Sequence, residues 1–428
     1  MKATPRPNSA FVFALASAIA CAAQAPAGKS ENAKPVIDQA PLVSVAPATN
    51  YDTLEHPSPA ATGNTVEAWI DEEVRVLAAP KRGTPLSRDA RLDRVATDLA
   101  KSRSPQDYPT VEQIAQETAY HGFPVSILSL VLFQGSTTLD RASLSPIKEQ
   151  LSTLRAQGEP RRYGLGFATM GNVLVGIVVA SDLSLELAPI PRRLELGQTA
   201  SIVGRVLPPF SLPEVLVTMP TGKVEHLASS GQDNHFAARL PCQSATGIHR
   251  VEIMGTNAGG PTVLANFPIY CGIAPPLAVE ASKLAAPTEN RASEVEERLY
   301  SLLNEERKNQ GLSPLHRNAK LAQAARAYSQ ELSDYRYREV AHISPRTGSV
   351  VDRVRKAGLT QRPDVLAENL ARVYSASEAH QGFLGSPGHR ANMVHPRLTD
   401  VGIGVVADAD TNGPRAFYVT EIFAAFAP

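Results

Sequence analysis

Two stretches far apart in the chain read as copies of one another. "PLSRDARLDRVATDLA" from Pro85 aligns without a gap on "PLHRNAKLAQAARAYS" from Pro314, with Pro, Leu, Arg, Ala, Leu and Ala coincident. The likeness continues in order. "SPQDYPTVEQIAQETA" from Ser104 tracks "SPRTGSVVDRVRKAG" from Ser344, "SPIKEQL" from Ser145 tracks "SPGHRAN" from Ser386, and "GLGFA" from Gly164 tracks "GIGVV" from Gly402. Each copy runs from helix-period residues to a glycine-containing strand and a closing hairpin, Tyr163–Ala168 with Val173–Ala180 in the first and Gly402–Val406 with Phe417–Phe423 in the second. The expectation is a duplicated helix–strand domain. Chance similarity between two such domains is the alternative.

The chain is long enough for two to four domains, at 428 residues. Residues 66–182 and 292–428 hold the two copies. Val66, Trp69, Ile70, Val74 and Leu77 share one helical face, and Asp89 is placed to cap a helix bearing Leu92, Val95, Ala96 and Leu99. In the second copy "SEVE" from Ser293 reads as a capping box, Gly311 as a helix stop, and Asn318 as the next cap. Residues 183–273 alternate apolar and polar in short runs with Pro and Gly turns, which predicts a β-sandwich of Ig-like type. A Pro/Ala linker fills 274–291.

The first 25 residues read as an export signal: Lys2 and Arg6 precede an apolar run from Ala10 to Ala23 too short to span a bilayer. "AIAC" resembles a lipobox, in which Cys21 would be lipidated; cleavage after "ACA" or "AQA" is the rival. Residues 26–65, rich in Ala, Pro, Ser and Asn, read as a disordered tether. If Cys21 carries lipid, Cys242 and Cys271 remain as an even pair in an oxidising compartment, a disulfide; two buried thiols are the alternative. Lys+Arg and Asp+Glu balance at 42 each, so nothing points to a nucleic-acid partner.

Five of the ten histidines, His316, His342, His380, His389 and His395, fall in the last domain. "AHISPRTG", "AENLA" and "GSPGHRANM" each set an ionisable residue, His342, Glu368 or His389, beside a turn or helix start. Two imidazoles and a carboxylate suit an open zinc site or an acid–base set. The blander readings are a turn histidine at 389 and a helix cap at Glu368 and Asn369. His316, His380 and His395 are expected to be solvated, Arg390 and Asn392 to be scaffold, and Asp352 and Arg353 to form a surface or structural pair. No G-x-S-x-G surrounds Ser386, and no H-E-x-x-H, phosphate loop or C-x-x-C pair occurs.

In their order, "AHISP", "AENLA", "SPGHRAN", "VGIGVV" and "YVTEIF" make residues 292–428 resemble the CAP superfamily (cysteine-rich secretory proteins, antigen 5 and pathogenesis-related 1) in its bacterial form. The resemblance implies an α-β-α sandwich and a cleft walled by His342, Glu368 and His389, a site that binds divalent metal in some members. The whole is then α+β and multidomain: a degenerate CAP-like domain, a β-sandwich and a CAP domain. Ser386 falls where many eukaryotic members carry a second glutamate, Ala367 replaces the glycine of G-E-N, and Glu421 replaces the last-strand glutamine and offers another carboxylate to the cleft. In the first copy Ser102, Leu128 and Lys148 stand near the places of His342, Glu368 and His389, so that copy is expected to lack a site.

Two functions follow. In the first, an exported or lipid-anchored protein uses a cleft of His342, Glu368, His389, Ser386 and Glu421 to bind an extracellular lipid, glycan, cell-wall or protein ligand, with a divalent ion at His342 and His389. In the second, an extracellular hydrolase holds Zn2+ on His342 and His389, with Glu368 as general base.

Overall fold

The computed structural model describes residues 46–77, 86–102, 109–127, 129–137, 161–243, 245–279, 291–335, 341–408 and 415–426, together with 14–15, 147–148, 150–151, 154 and 289. Cys21 and nearly all of the expected export signal lie outside these residues. Two compact units contain the rest: Ala14–Leu183 with Pro276–Ala281, and Ser184–Pro275 with Ser282–Pro428.

The first unit is built from α1 (Val66–Leu77), β1 (Ser87–Arg88), α2 (Ala90–Lys101), α3 (Val111–Tyr120), β2 (Ser129–Ser136), β3 (Arg162–Met170) and β4 (Val173–Ser181). The strands form one sheet in the order β2-β4-β3-β1, with Ala14–Leu15 paired parallel to the outer side of β2, β1 parallel to β3 and the other pairs antiparallel. One face buries Val66, Trp69, Ile70 and Val74 of α1 against Val131, Phe133, Leu165 and Val178. On the other face the backbone of α2 lies directly on β3. A Cβ at Gly164 would sit 2.1 Å from the Leu92 carbonyl carbon, and one at Gly166 2.0 Å from the Thr97 nitrogen, so glycine is required at both. Asp89 caps α2 by accepting from Arg91 N. Order begins well before α1, inside the stretch expected as a tether. Tyr51, Asp52 and Thr53 are buried, because Arg91 donates to the Asp52 carbonyl and carboxylate and Arg162 to the Thr53 carbonyl. Composition could not show this, since the partners lie about 40 and 110 residues away along the chain.

The second unit opens with two antiparallel sheets. One contains β5 (Leu185–Leu187), β6 (Thr199–Val206) and β9 (His235–Pro241); the other orders β8 (Val224–His226), β7 (Ser211–Thr218), β10 (Gly247–Asn257) and β11 (Gly260–Cys271), with Arg193–Leu194 at its edge. Cys242 and Cys271 form a disulfide, with Cα atoms 5.6 Å apart; a loop of this size is worth about 3–4 kcal/mol on the loop-entropy estimate.

The remainder is α4 (Ala292–Asn309), β12 (His316–Arg317), α5 (Ala319–Asp334), α6 (Val350–Lys356), β13 (Val365–Val373), α7 (Ala376–Gly385), α8 (Pro387–Met393), β14 (Asp400–Ala407) and β15 (Phe417–Ala425). Its sheet runs β12-β14-β15-β13. Period-two alternation sends Val401, Ile403, Phe417, Val419 and Phe423 toward α4 and α7, and Ile422 and Ala424 toward α5 and α6. The result is a helix–sheet–helix layering. Asn318 caps α5, and Gly311, at φ 70°, follows the end of α4. The box expected at Ser293 does not form there: the N-cap is Arg291, two residues earlier, whose N–H donates to Glu294 at 3.1 Å.

Candidate functional site

The loop before α6 and the edge strand β13 bring His342 onto Glu368, and the helix α8 sets His389 as a neighbour of His342. Proline at the first position of α8 supplies a preset φ, and the Ser386 hydroxyl caps it by accepting from His389 N. His342 Nδ1 lies 3.0 Å from Glu368 Oε2. A carboxylate only accepts, so Nδ1 carries a proton and donates it to Glu368.

Glu368 is buried and is also held by Arg353, whose Nη2 donates to Oε1 at 2.6 Å and Oε2 at 2.7 Å. Arg353 is itself buried, stacks over Tyr328 at 3.6 Å, and donates to the carbonyls of His342 and Gly348. It is therefore neither a surface residue nor a mere helix pair with Asp352, as the sequence suggested. Asp352 instead closes the capping box of α6 with Ser349.

His389 has its imidazole pushed down to about 3 by burial and by the neighbouring His342. It is a neutral ring at any ordinary pH. Asn369 donates to the His389 carbonyl at 3.3 Å, and Asn392 donates to the Glu368 carbonyl and to Asn369 Oδ1. These two amides tie α8 to the edge strand, and Arg390 ties it to Glu306 and to the Gly222 carbonyl, a scaffold role as expected.

Two expected cleft residues are elsewhere. Glu421 pairs in register with Asn369, and Glu368 with Ile422. Directly opposed residues share a face and successive ones alternate, so Glu421 points to the side of the sheet opposite Glu368. Burial pushes its carboxyl up to about 8, against a hydrogen bond from Asn369 that lowers it. The Ser386 hydroxyl is spent on the cap and on Glu252 of β10, to which it donates at 2.6 Å. Glu252, invisible to motif reasoning, also accepts from Gly388 N at 2.8 Å, and burial pushes it up to about 7. Close by, the Gly259 carbonyl accepts from Ile343 N, and Gly260 packs on the His342 side chain. The strand-rich region thus touches both histidine-bearing segments. Of the histidines expected to be solvated, His316 is exposed and His395 half-buried. His380 is buried, which pushes it down to about 4. It sits on the inner face of α7, a parity that its flanking residues do not advertise.

A divalent ion can be tested against this arrangement. The His389 imidazole neighbours that of His342, and the Nδ1–H of His342 is anchored on a carboxylate, the usual outer-sphere support of a ligating histidine. These features fit. Glu368 does not fit as a third ligand or a free base, because both its oxygens are occupied by Arg353 and one also by His342.

Residues 300–423 match the family model described as CAP, the cysteine-rich secretory protein family. The C-terminal domain is a CAP domain. Its curated relatives include the uncharacterized protein YkwD of Bacillus subtilis (strain 168), 32% identical over 132 residues, which are 31% of this chain and 50% of that protein. The uncharacterized membrane protein YlbC of the same organism is 29% identical over 111 residues, 26% of this chain and 31% of that one. The chain thus spans half or less of the length of these relatives. Similar solved structures include an outer surface protein from Borrelia burgdorferi (21% identity, TM-score 0.28, 33% of this chain and 100% of that one). Another is an extracellular SCP-domain protein from Bacillus anthracis str. Ames (19%, TM-score 0.28, 64% and 91%). Among the described residues no helix is long and apolar enough to cross a membrane.

The CAP sheet has a register twin in the first unit. Ser87 N donates to the Arg161 carbonyl and Asp89 N to that of Tyr163, as His316 N does to Thr399 and Asn318 N to Val401. Gly402 and Gly404 lie on the α5 backbone as Gly164 and Gly166 lie on α2. Following the pairing outward from these glycines, Gly402–Ile422–Glu368 matches Gly164–Val179–Leu130. Leu130, not Leu128, therefore occupies the place of Glu368; Leu128 itself is outside the described residues. By the same register Val131 stands for Asn369 and Val178 for Glu421. Ser102 terminates α2, and Lys148 pairs with Glu73 at 2.5 Å.

Proposed function

We propose that the chain is an exported CAP-domain protein whose His342/Glu368/His389 cluster binds an extracellular ligand: lipid, glycan or cell-wall material. The observation that carries this reading is the double commitment of Glu368 to Arg353 and His342. A carboxylate so fixed orients an imidazole; it is not available to take a proton from water. The cluster then presents two imidazoles as hydrogen-bonding or ligating groups. A divalent ion held by His342 and His389 would order the two segments and supply a Lewis-acidic contact to the ligand. The hydrolase reading lacks its base. In this proposal the sheets of residues 185–271 are a β-sandwich contributing Glu252 and the Gly259–Gly260 turn to the site's border, and the first unit is a CAP-like copy without a site.

Sedimentation of the full chain with isolated cell-wall sacculi and, separately, with anionic liposomes tests the proposal. Binding to one of them should fall at least tenfold in His342→Ala and His389→Ala with the melting profile retained. Binding to neither, or binding unchanged by both substitutions, overturns it.

A further inference from the structure

The first unit lacks the CAP cluster but holds a different group of donors. Asp98 lies in the last turn of α2, Glu117 and His121 one turn apart at the end of α3. One donor atom from each lies within 4.8 Å of the other two. His121 Nε2 is 2.9 Å from Asp98 Oδ2 and 3.9 Å from Glu117 Oε2. His121 and Glu117 are buried, with side chains 2% and 9% exposed, while Asp98 opens to solvent at 39%.

Glu117 is the unexplained member. Its carboxyl makes no hydrogen bond among the described residues, and its one ionic neighbour is His121 of the same cluster. A buried carboxylate left so, facing a second carboxylate, is costly.

We propose that Asp98, Glu117 and His121 form a binding site for a divalent transition-metal ion, Zn2+ or Mn2+, in the first unit. Two carboxylates and one imidazole suit such ions and offset their charge. Donors about 2.1 Å from a tetrahedral ion stand roughly 3.4 Å apart, so the 2.9 and 3.9 Å separations need shifts of about half an ångström. Both helices present their C-terminal ends, where the backbone dipole favours a cation, and α3 carries no basic residue in its last turn. The exposed edge of Asp98 is the entry path and leaves room for water as a further ligand.

The test uses the full chain carrying His389→Ala, which removes the CAP cluster as a competing site. Zn2+, and Mn2+ separately, are titrated calorimetrically near neutral pH. One ion per chain is expected, with affinity reduced at least tenfold by Glu117→Gln and by His121→Gln. Glu117→Gln keeps size and removes the buried charge, so it should fold and leave the melting temperature without metal unchanged or higher. No binding in the His389→Ala chain overturns the site, as does binding that survives Glu117→Gln. Metal bound by the wild type but lost with His389→Ala alone would place the ion in the CAP cluster and overturn the proposal for the first unit.

Discussion

The two α/β regions share a sheet order, a helix seated on paired glycines, and the same backbone hydrogen bonds around the strand that precedes that helix. They differ where β13 and its counterpart β2 meet their inner neighbours; β13 is an edge strand, whereas β2 carries Ala14–Leu15 on its outer side. The CAP domain buries Glu368, Asn369 and Glu421 there; the first unit buries Leu130, Val131 and Val178. A sheet that is stable with apolar residues at this place does not need polar ones. The buried carboxylates of the CAP domain are therefore a cost that the packing does not require, and the arginine, imidazole and amides around them offset it.

The largest expected effect sharpens that comparison directly. Arg353→Ala leaves Glu368 buried without its guanidinium and should destabilise the CAP domain by about 3–5 kcal/mol. The double change Arg353→Met with Glu368→Leu imitates the first unit and should recover most of the loss. Denaturant unfolding, with hydrogen exchange to localise it, reads both. If the double variant is as unstable as Arg353→Ala, the offset argument fails.

Next come the glycines. A Cβ at Gly404 would lie 2.1 Å from Arg326 N, and one at Gly166 2.0 Å from Thr97 N. Gly404→Ala and Gly166→Ala should each cost about 2–3 kcal/mol, since backbone rather than a flexible side chain must move. Equal losses, each confined to its own region by hydrogen exchange, support a common construction; a tolerated change in one region would break the analogy.

Much of this was readable in the chain before its structure. The glycine strands and the caps at Asp89 and Asn318 are local patterns, and local patterns survive in sequence. His342, Glu368 and His389 stand out because each adjoins a turn or cap and because the motif order matches a family. Arg353 and Glu252 are not legible: one looks like half of a surface pair, and the other is an ordinary strand residue whose partner is over a hundred positions away. Glu421 fails for a different reason. Its side of the sheet depends on register, and a single step reverses it.

Between about 4.5 and 8 the folded chain keeps a proton on Glu421 that the unfolded chain has released. Stability of the CAP domain should then fall as pH rises through that window, by up to about 1.4 kcal/mol per pH unit from this group. Glu421→Gln should flatten the fall. Val178 occupies this place in the first unit, so Val178→Ala should leave the pH dependence of that unit unaltered. A CAP-domain slope unchanged by Glu421→Gln would show that the residue is not buried in its neutral form.

The smallest effect separates cap from cluster. Asn318 caps α5 by accepting from Lys320 N and Leu321 N, and its amide reaches Asp400 at 3.2 Å. Asp89 caps α2 from the matching place but also holds the buried guanidinium groups of Arg91 and Arg162. Asn318→Ala should cost about 1 kcal/mol, the ordinary worth of a cap. Asp89→Ala should cost more, because it strands two buried cations as well as the helix N-terminus. Unfolding of the two variants under identical conditions decides it. Equal losses would mean that the arginines find other acceptors in the Asp52, Thr53 and Leu54 carbonyls, and that the ordered segment before α1, rather than the cap, anchors the first unit.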